Sequence, residues 1–303
     1  MDLLSQQNIT LEQVEERIKQ LPLLPGVLFE LMKSDPDSDH FFDDMVRLAK
    51  SDPPLAALIV GYANSPTYLG NQYVDGIDAA LARVGSHTIL QLLMTMSVSR
   101  VFVPNKDEER NIWRHSLEVA HISLFLAKTP YFTTVKPETA YMAGLLHDLG
   151  RFIMLMVAPN VLKNTDVRGW GSAEEFIEVE KETIGFTHAI VGLKACQKMQ
   201  LPPLISNVVR YHHYHDAINH PKVQKELRDL LLIIQFSDAL SFCLASTHNW
   251  FDLKHKDLCQ IIKENTVFKE WGNVRIPIDD LVADLVLIYG EIERSCTMLG
   301  ISK

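Results

Sequence analysis

Cysteine is scarce and unpaired in this sequence: Cys196, Cys243, Cys259 and Cys296 stand singly, with no CxxC spacing. That excludes a disulfide framework and predicts reduced thiols. Excess positive charge is also missing, since the formal net charge is -9. Nucleic-acid binders carry a basic footprint, so no DNA partner is expected. The start Met1-Asp2-Leu3-Leu4-Ser5 lacks the basic opening of a signal peptide, and a cytoplasmic protein is expected. The longest apolar runs, Leu230 to Ala245 and Thr88 to Val103, are interrupted by Asp238 and Arg100, which predicts no membrane partner. No run alternates apolar and polar residues between turn signals, and there is no repeat or low-complexity tract. A sheet is therefore not expected.

What is present is helix punctuation. With 303 residues, 47% of them apolar, the chain can bury one large core or two packed lobes. Thr10 and Gln13 form a capping-box pattern, and Leu21-Pro22-Leu23-Leu24-Pro25 ends the helix they start. Gly26 to Lys33, Pro53 to Tyr62 and Asp78 to Val84 read as helices, and Ser86 as the cap of the next. The polar stretch Pro104 to Glu109 is the expected boundary between an N-terminal lobe, 1–104, and a second lobe, 105–303. Beyond it, helices are expected to about Lys128, from a Ser172/Glu175 capping box to Gly185, then over Thr187 to Met199, Pro203 to His213, Gln224 to Ser246, Lys256 to Trp271 and Pro277 to Leu299. The predicted fold is all-α, a two-lobe helical bundle.

One stretch organises the rest. From Met142 to Met156, the residues Met142, Leu145, Leu146, Leu149, Phe152, Ile153 and Met156 recur at the spacing of a core-facing helix stripe. Gly144, His147, Asp148 and Arg151 interrupt the apolar run at the same spacing, beside a glycine that admits close approach. A buried carboxylate without a counter-charge is unfavourable by several kcal/mol. A metal ion is the simplest compensation, because imidazole nitrogen and carboxylate oxygen are both good first-row ligands.

A search by helix face supplies more ligands. His115 shares a face with Ile112, Val119, Ile122 and Leu126; His188 with Val191, Gly192 and Ala195; His212 with Ile205, Val208 and Val209, and His213 follows it. Asp238 lies between Leu231, Ile234, Phe242 and Ala245 in a segment with almost no other charge. One inward histidine is ordinarily a core residue hydrogen-bonded to a carbonyl. Five histidines and two aspartates on inward faces share a single explanation, a metal centre. His40, His87, His121, His215, His220, His248 and His255 are expected at the surface or behind the site, with His215 and His220 near its rim.

These residues carry a resemblance. His115, His147-Asp148, His188, His212-His213 and Asp238 together resemble the HD superfamily of metal-dependent phosphohydrolases. Leu21 to Pro25, Asp52-Pro53 with Ala63-Asn64-Ser65, Trp113 to Ser116, Ala143 to Gly150 and Gly185 to His188 with Val191-Gly192 narrow it to the HDOD branch of bacterial signalling proteins. The resemblance implies a metal site in the C-terminal lobe. By analogy with the HD-GYP phosphodiesterases, His115, His147, Asp148 and Asp238 would hold one ion, and His188, His212 and His213 the other. Asp148 would bridge two divalent ions about 3.5–4 Å apart. Arg151 stands where those enzymes carry Lys, which keeps the charge but gives it a planar fork. The Gly-Tyr-Pro loop linked to cyclic dinucleotide binding is missing after His213, which argues against cyclic di-GMP as substrate. HDOD proteins have mostly lost parts of the site, whereas this chain retains all of it.

Two functions follow. One is a metal-dependent phosphohydrolase acting on a phosphodiester or nucleotide, with Asp148 at its centre and Arg151 as a phosphate clamp. The other is a regulatory output module that binds a protein signalling partner, with the metals bracing the helices. A di-iron oxygenase is a third use of the same ligands, which suit iron, manganese, nickel and zinc alike.

Overall fold

The computed structural model describes residues 9–22, 24–68, 72–157 and 173–301. Among the described residues there is no strand, so the predicted all-α class holds. The Ser172 half of one expected capping box lies outside them.

Two compact units form. The smaller, Leu24–Phe102, contains α2 (Gly26–Leu31), α3 (Phe41–Ser51), α4 (Pro53–Ala63), α5 (Ile77–Val84) and α6 (Ser86–Ser99). Its core is built from Leu28, Leu31, Phe41, Met45, Leu55, Ile59, Leu81 and Ile89, all but fully buried. Arg100, after α6, forks onto Asp52, before α4, at 2.6 and 3.1 Å, which ties two helix ends together. The helix α3 was not anticipated. Its opening Phe41 and Phe42 are followed by Asp43 and Asp44, acids that favour a first helical turn. Nor does Ser86 cap α6: the cap is Gly85, at φ 88°, a conformation that glycine alone adopts without penalty.

The larger unit contains α1 (Leu11–Gln20) and the chain from Val103 onward. This departs from a division at residue 104 because α1 buries Val14 and Ile18 against α9 and α11. The capping box of Thr10 and Gln13 forms as expected, with bonds of 2.9 and 3.3 Å. After α1 come α7 (Asp107–Ala127), α8 (Pro137–Leu146), α9 (Leu149–Val157), α10 (Ala173–Ile184), α11 (His188–Met199), α12 (Pro203–Tyr211), α13 (Lys225–Ser246), α14 (His255–Thr266) and α15 (Ile278–Met298). The expected helix from Lys256 to Trp271 is split, with a 3-10 turn at Lys269–Trp271.

The central helix α7 packs on α8, α13 and α15, and α11 packs on α9 and α12. A Cβ on Gly144 would stand 2.7 Å from Ala120 Cα, so only glycine lets α8 lie this close to α7. A Cβ on Gly150 would fall inside the His188 carbonyl, so α9 and α11 meet by the same device. The span Pro137–Val157 and α13 are apolar and long enough to cross a membrane, but 83% and 78% of their most apolar windows are buried inside the protein, so the core covers them.

The expected single helix from Met142 to Met156 is two. It breaks at His147 and Asp148, between α8 and α9. His147 keeps helical dihedrals there, φ -54° and ψ -38°, and Arg151 N–H bonds Asp148 O at 2.9 Å, so the chain runs from α8 into α9 through a tightened turn. Met156, expected in the core, is 46% exposed.

Candidate metal centre

All seven expected ligands converge in the larger unit. His115 and Asp238 project from within α7 and α13. The others stand at helix ends instead of on helix faces: His147 and Asp148 after α8, His188 as the first residue of α11, and His212 and His213 after α12. Helix ends are useful here because the last turn leaves carbonyls without intrahelical partners. His147 Nδ1 donates to Gly144 O at 2.7 Å, and His212 Nδ1 donates to Val209 O at 3.0 Å, each three residues back.

The same logic fixes two more rings. His188 Nδ1 donates to Glu180 Oε2 at 2.8 Å. His115 Nδ1 lies 2.9 Å from Ser241 Oγ, whose own proton goes to Glu118 Oε2 at 2.6 Å, so the hydroxyl accepts from His115. Each of these four Nδ1 atoms donates outward, which turns Nε2 toward the centre. There the Nε2 atoms of His115 and His147 face each other at 3.2 Å, and those of His188 and His212 at 3.4 Å. Two imidazole lone pairs at that distance repel unless a proton or a metal cation lies between them.

Asp148 divides the cluster. Its Oδ1 is 3.2 Å from His188 Nε2 and 3.6 Å from His212 Nε2, while its Oδ2 is 3.8 Å from both His115 Nε2 and His147 Nε2. Ligand atoms of Asp148, His188, His212 and His213 form one group spanning at most 4.8 Å, and those of His115, His147 and Asp148 form a second. Asp238 stands outside both groups but reaches each side, 3.2 Å from His115 Nε2 and 3.8 Å from His213 Nδ1. Arg151 Nη1 is 3.3 Å from Asp148 Oδ2, and its guanidinium lies over the Phe176 ring at 5.1 Å.

The electrostatics reflect crowding of both signs. Burial would raise Asp148, but the imidazoles of His147, His188 and His212, with Arg151, hold it well below the usual carboxylate range. Asp238 is likewise lowered, against burial, chiefly by His115. Burial pulls His147 down to about 4 despite the nearby carboxylates. His188 goes the other way: burial is outweighed by the Glu180 carboxylate and the bond to Asp148, which push it up to about 10.

Glu180, fully buried on α10, was missed by sequence reasoning. Its Oε2 also accepts the His188 backbone N–H at 2.9 Å. The one signal was an acid four residues after Phe176 on an apolar face. His121, expected at the surface or behind the site, is buried on the far side of α7, with Nε2 3.0 Å from Ser295 Oγ. Burial, then the charges of Arg294 and Lys128, lowers it to about 3. His215 stacks on Phe268 with centroids 3.5 Å apart. The four cysteines are unbridged.

The donor set, imidazole nitrogen and carboxylate oxygen without sulfur, fits divalent first-row ions. Known proteins agree with the fold. The chain resembles an HDOD domain protein of unknown function from Geobacter sulfurreducens, at TM-score 0.65 and 21% identity, covering 94% of this chain and 97% of that one. It also resembles a candidate phosphohydrolase from Shewanella amazonensis, at TM-score 0.66 and 22% identity, covering 95% and 98%. An uncharacterized protein of Treponema pallidum is 26% identical over 227 residues, which is 74% of this chain and 43% of that protein, so the chain spans less than half of that relative. The HDOD domain itself matches residues 21–215, from the proline-bounded end of α1 through the His212-His213 pair, and on that extent the chain belongs to the HDOD domain family.

Proposed function

We propose that this chain is an HDOD signalling protein that binds two divalent transition-metal ions, iron, manganese, nickel or zinc, and hydrolyses a phosphodiester or nucleotide. One observation carries the reading: paired Nε2 atoms lie on either side of Asp148, each pair facing its own carboxylate oxygen. His115, His147 and Asp238 would hold one ion, His188, His212 and His213 the other, and Asp148 both. Divalent ions held so closely polarise a phosphoryl oxygen and lower the pKa of a shared water. Around them Glu180, Ser241, Gly144 O and Val209 O keep four rings oriented, which limits the reorganisation needed on binding. The most exposed of these side chains lie around His115. His115, Asp238 and Arg151 side chains are 18, 11 and 16% exposed, whereas His188 and His212 are fully covered. Arg151 therefore stands where an anionic phosphate would enter, with a planar fork suited to it.

A regulatory module without turnover is the second reading, favoured by the position of Arg151 against Asp148 and Phe176, where it braces the centre. Arg151→Ala separates the two. Assayed on a generic phosphodiester after metal reconstitution, the enzyme reading expects full metal content and a rate lowered about 10–100-fold, the loss of one charge-assisted contact. Metal-loaded protein with no turnover, or release of metal by Arg151→Ala, favours the module, and partner capture then becomes the assay.

A further inference from the structure

The buried centre contains no sulfur, yet a second cluster of ligating side chains lies at the rim between α14 and α15. His255 is the first residue of α14, and Cys259 follows one turn later on the same face. Asp279 comes from the first turn of α15, which packs on α14. Buried Leu258 and Ile262 on α14 and Leu281 and Leu285 on α15 fix the two backbones beneath them. A single oxygen, Asp279 Oδ1, lies 3.5 Å from His255 Nε2 and 3.6 Å from Cys259 Sγ. The three ligand atoms fit within 4.8 Å.

We propose that His255, Cys259 and Asp279 form a solvent-facing site for one zinc-class ion, clamping α14 to α15. The separations are the argument. Bond lengths of about 2.0–2.2 Å to nitrogen and oxygen and about 2.3 Å to sulfur place tetrahedral ligands roughly 3.3–3.6 Å apart, which is where the oxygen already stands from both partners. Sulfur and imidazole together select zinc or cobalt over magnesium, calcium or manganese, the opposite bias from an all-oxygen site. On binding, the Cys259 proton, donated to Asp279 Oδ1 in the metal-free arrangement, leaves to solvent, and thiolate plus carboxylate then balance the two positive charges. Both first-turn dipoles oppose a cation, a term that those two anionic ligands offset. The His255 side chain is 51% exposed and that of Asp279 is 89% exposed, which leaves the fourth position to water. This inference is independent of the phosphohydrolase reading.

The test is cobalt titration of the full chain after metal removal. A thiolate-to-cobalt charge-transfer band in the near ultraviolet is expected, and the buried centre, without sulfur, cannot produce one. Cys259→Ser should abolish the band and lower bound cobalt by one equivalent; Cys243→Ser should leave both unchanged. His255→Ala and Asp279→Asn should each weaken the titration at least about tenfold. His255 and Asp279 are exposed and Cys259 is half-buried, so circular dichroism should confirm that the variants fold. Absence of the band, its survival in Cys259→Ser, or unweakened binding in both other variants overturns the site.

Discussion

The two sides of Asp148 carry different ligand sets, two imidazoles with the Asp238 carboxylate against three imidazoles, and are held in different ways. On the His188 side the supports are a buried carboxylate and a backbone carbonyl: Glu180 and His188 have no solvent exposure, and His212 leans on Val209 O. On the His115 side the support is a relay, from His115 through the Ser241 hydroxyl to Glu118, which stands 3.9 Å from Arg114; Arg114 in turn forks onto Glu293 of α15 at 2.7 and 3.0 Å. The dry side rests on a charge, the accessible side on a chain of neutral and charged groups that ends at the surface. A buried carboxylate behind an imidazole raises its basicity and fixes its tautomer, so the His188 side is built for tight holding. Under the proposed function, exchange with an entering ligand falls to the His115 side, whose own ring is 18% exposed.

The largest test of this division removes what both sides share. Asp148→Asn keeps the shape but deletes the charge that offsets two cations, so both ions of the buried centre should be lost together; in a Cys259→Ser background, which removes the surface site, metal content should fall from about two per chain to near zero. Elemental analysis of protein purified without a nickel column reads this directly. Loss of one ion only would mean that Asp148 serves a single side. Chelation of the unaltered protein should lower its melting temperature for the related reason that Asp148 and Asp238 are left buried without cations.

A sharper test touches the dry side alone. Glu180→Gln still offers an oxygen to the His188 Nδ1–H but no charge, so one ion should bind about 10–100-fold more weakly while the other is unchanged. The metal-free protein supplies a second readout. His188 is raised in the folded state to about 10, above the ordinary value of about 6.5. That contribution to stability is complete below pH about 6.5 and disappears as pH rises through about 10. Glu180→Gln should flatten this alkaline decline in chemical denaturation measured across that window. An unchanged slope would show that Asp148, not Glu180, holds the proton on His188.

How much of this was legible follows from the same contrast. Buried charge in an apolar run is visible in a sequence, and His115, His147, Asp148, His188, His212, His213 and Asp238 lie close together in the structure. Spacing assumes an unbroken helix, however. It could not show that His147-Asp148 and His212-His213 lie just past helix ends, because a break of two residues leaves the apolar stripe almost intact. Glu180 was hidden for a different reason: α10 carries several acids, and only burial separates this one from its solvated neighbours. The placement of α1 was hidden because a proline-bounded helix has the same pattern whichever unit receives its apolar face.

The smallest expected effect is on the accessible side. Ser241→Ala removes one hydroxyl, leaving His115 Nδ1 without its acceptor and the Glu118 carboxylate without its short donor. Burial already raises Glu118, and the hydroxyl bond opposes that rise, so the variant should push Glu118 higher still. His115 keeps its contact to Asp238 at 3.2 Å, which limits the damage to the order of one hydrogen bond, about 1 kcal/mol or roughly fivefold in the affinity of the His115-side ion. The Glu180→Gln effect should exceed it, because a buried charge orients an imidazole more firmly than a hydroxyl does. If Ser241→Ala instead weakens metal binding as much as Glu180→Gln, the relay is as strong a support as the buried carboxylate. The two sides would then differ in ligands and accessibility but not in the strength of their supports.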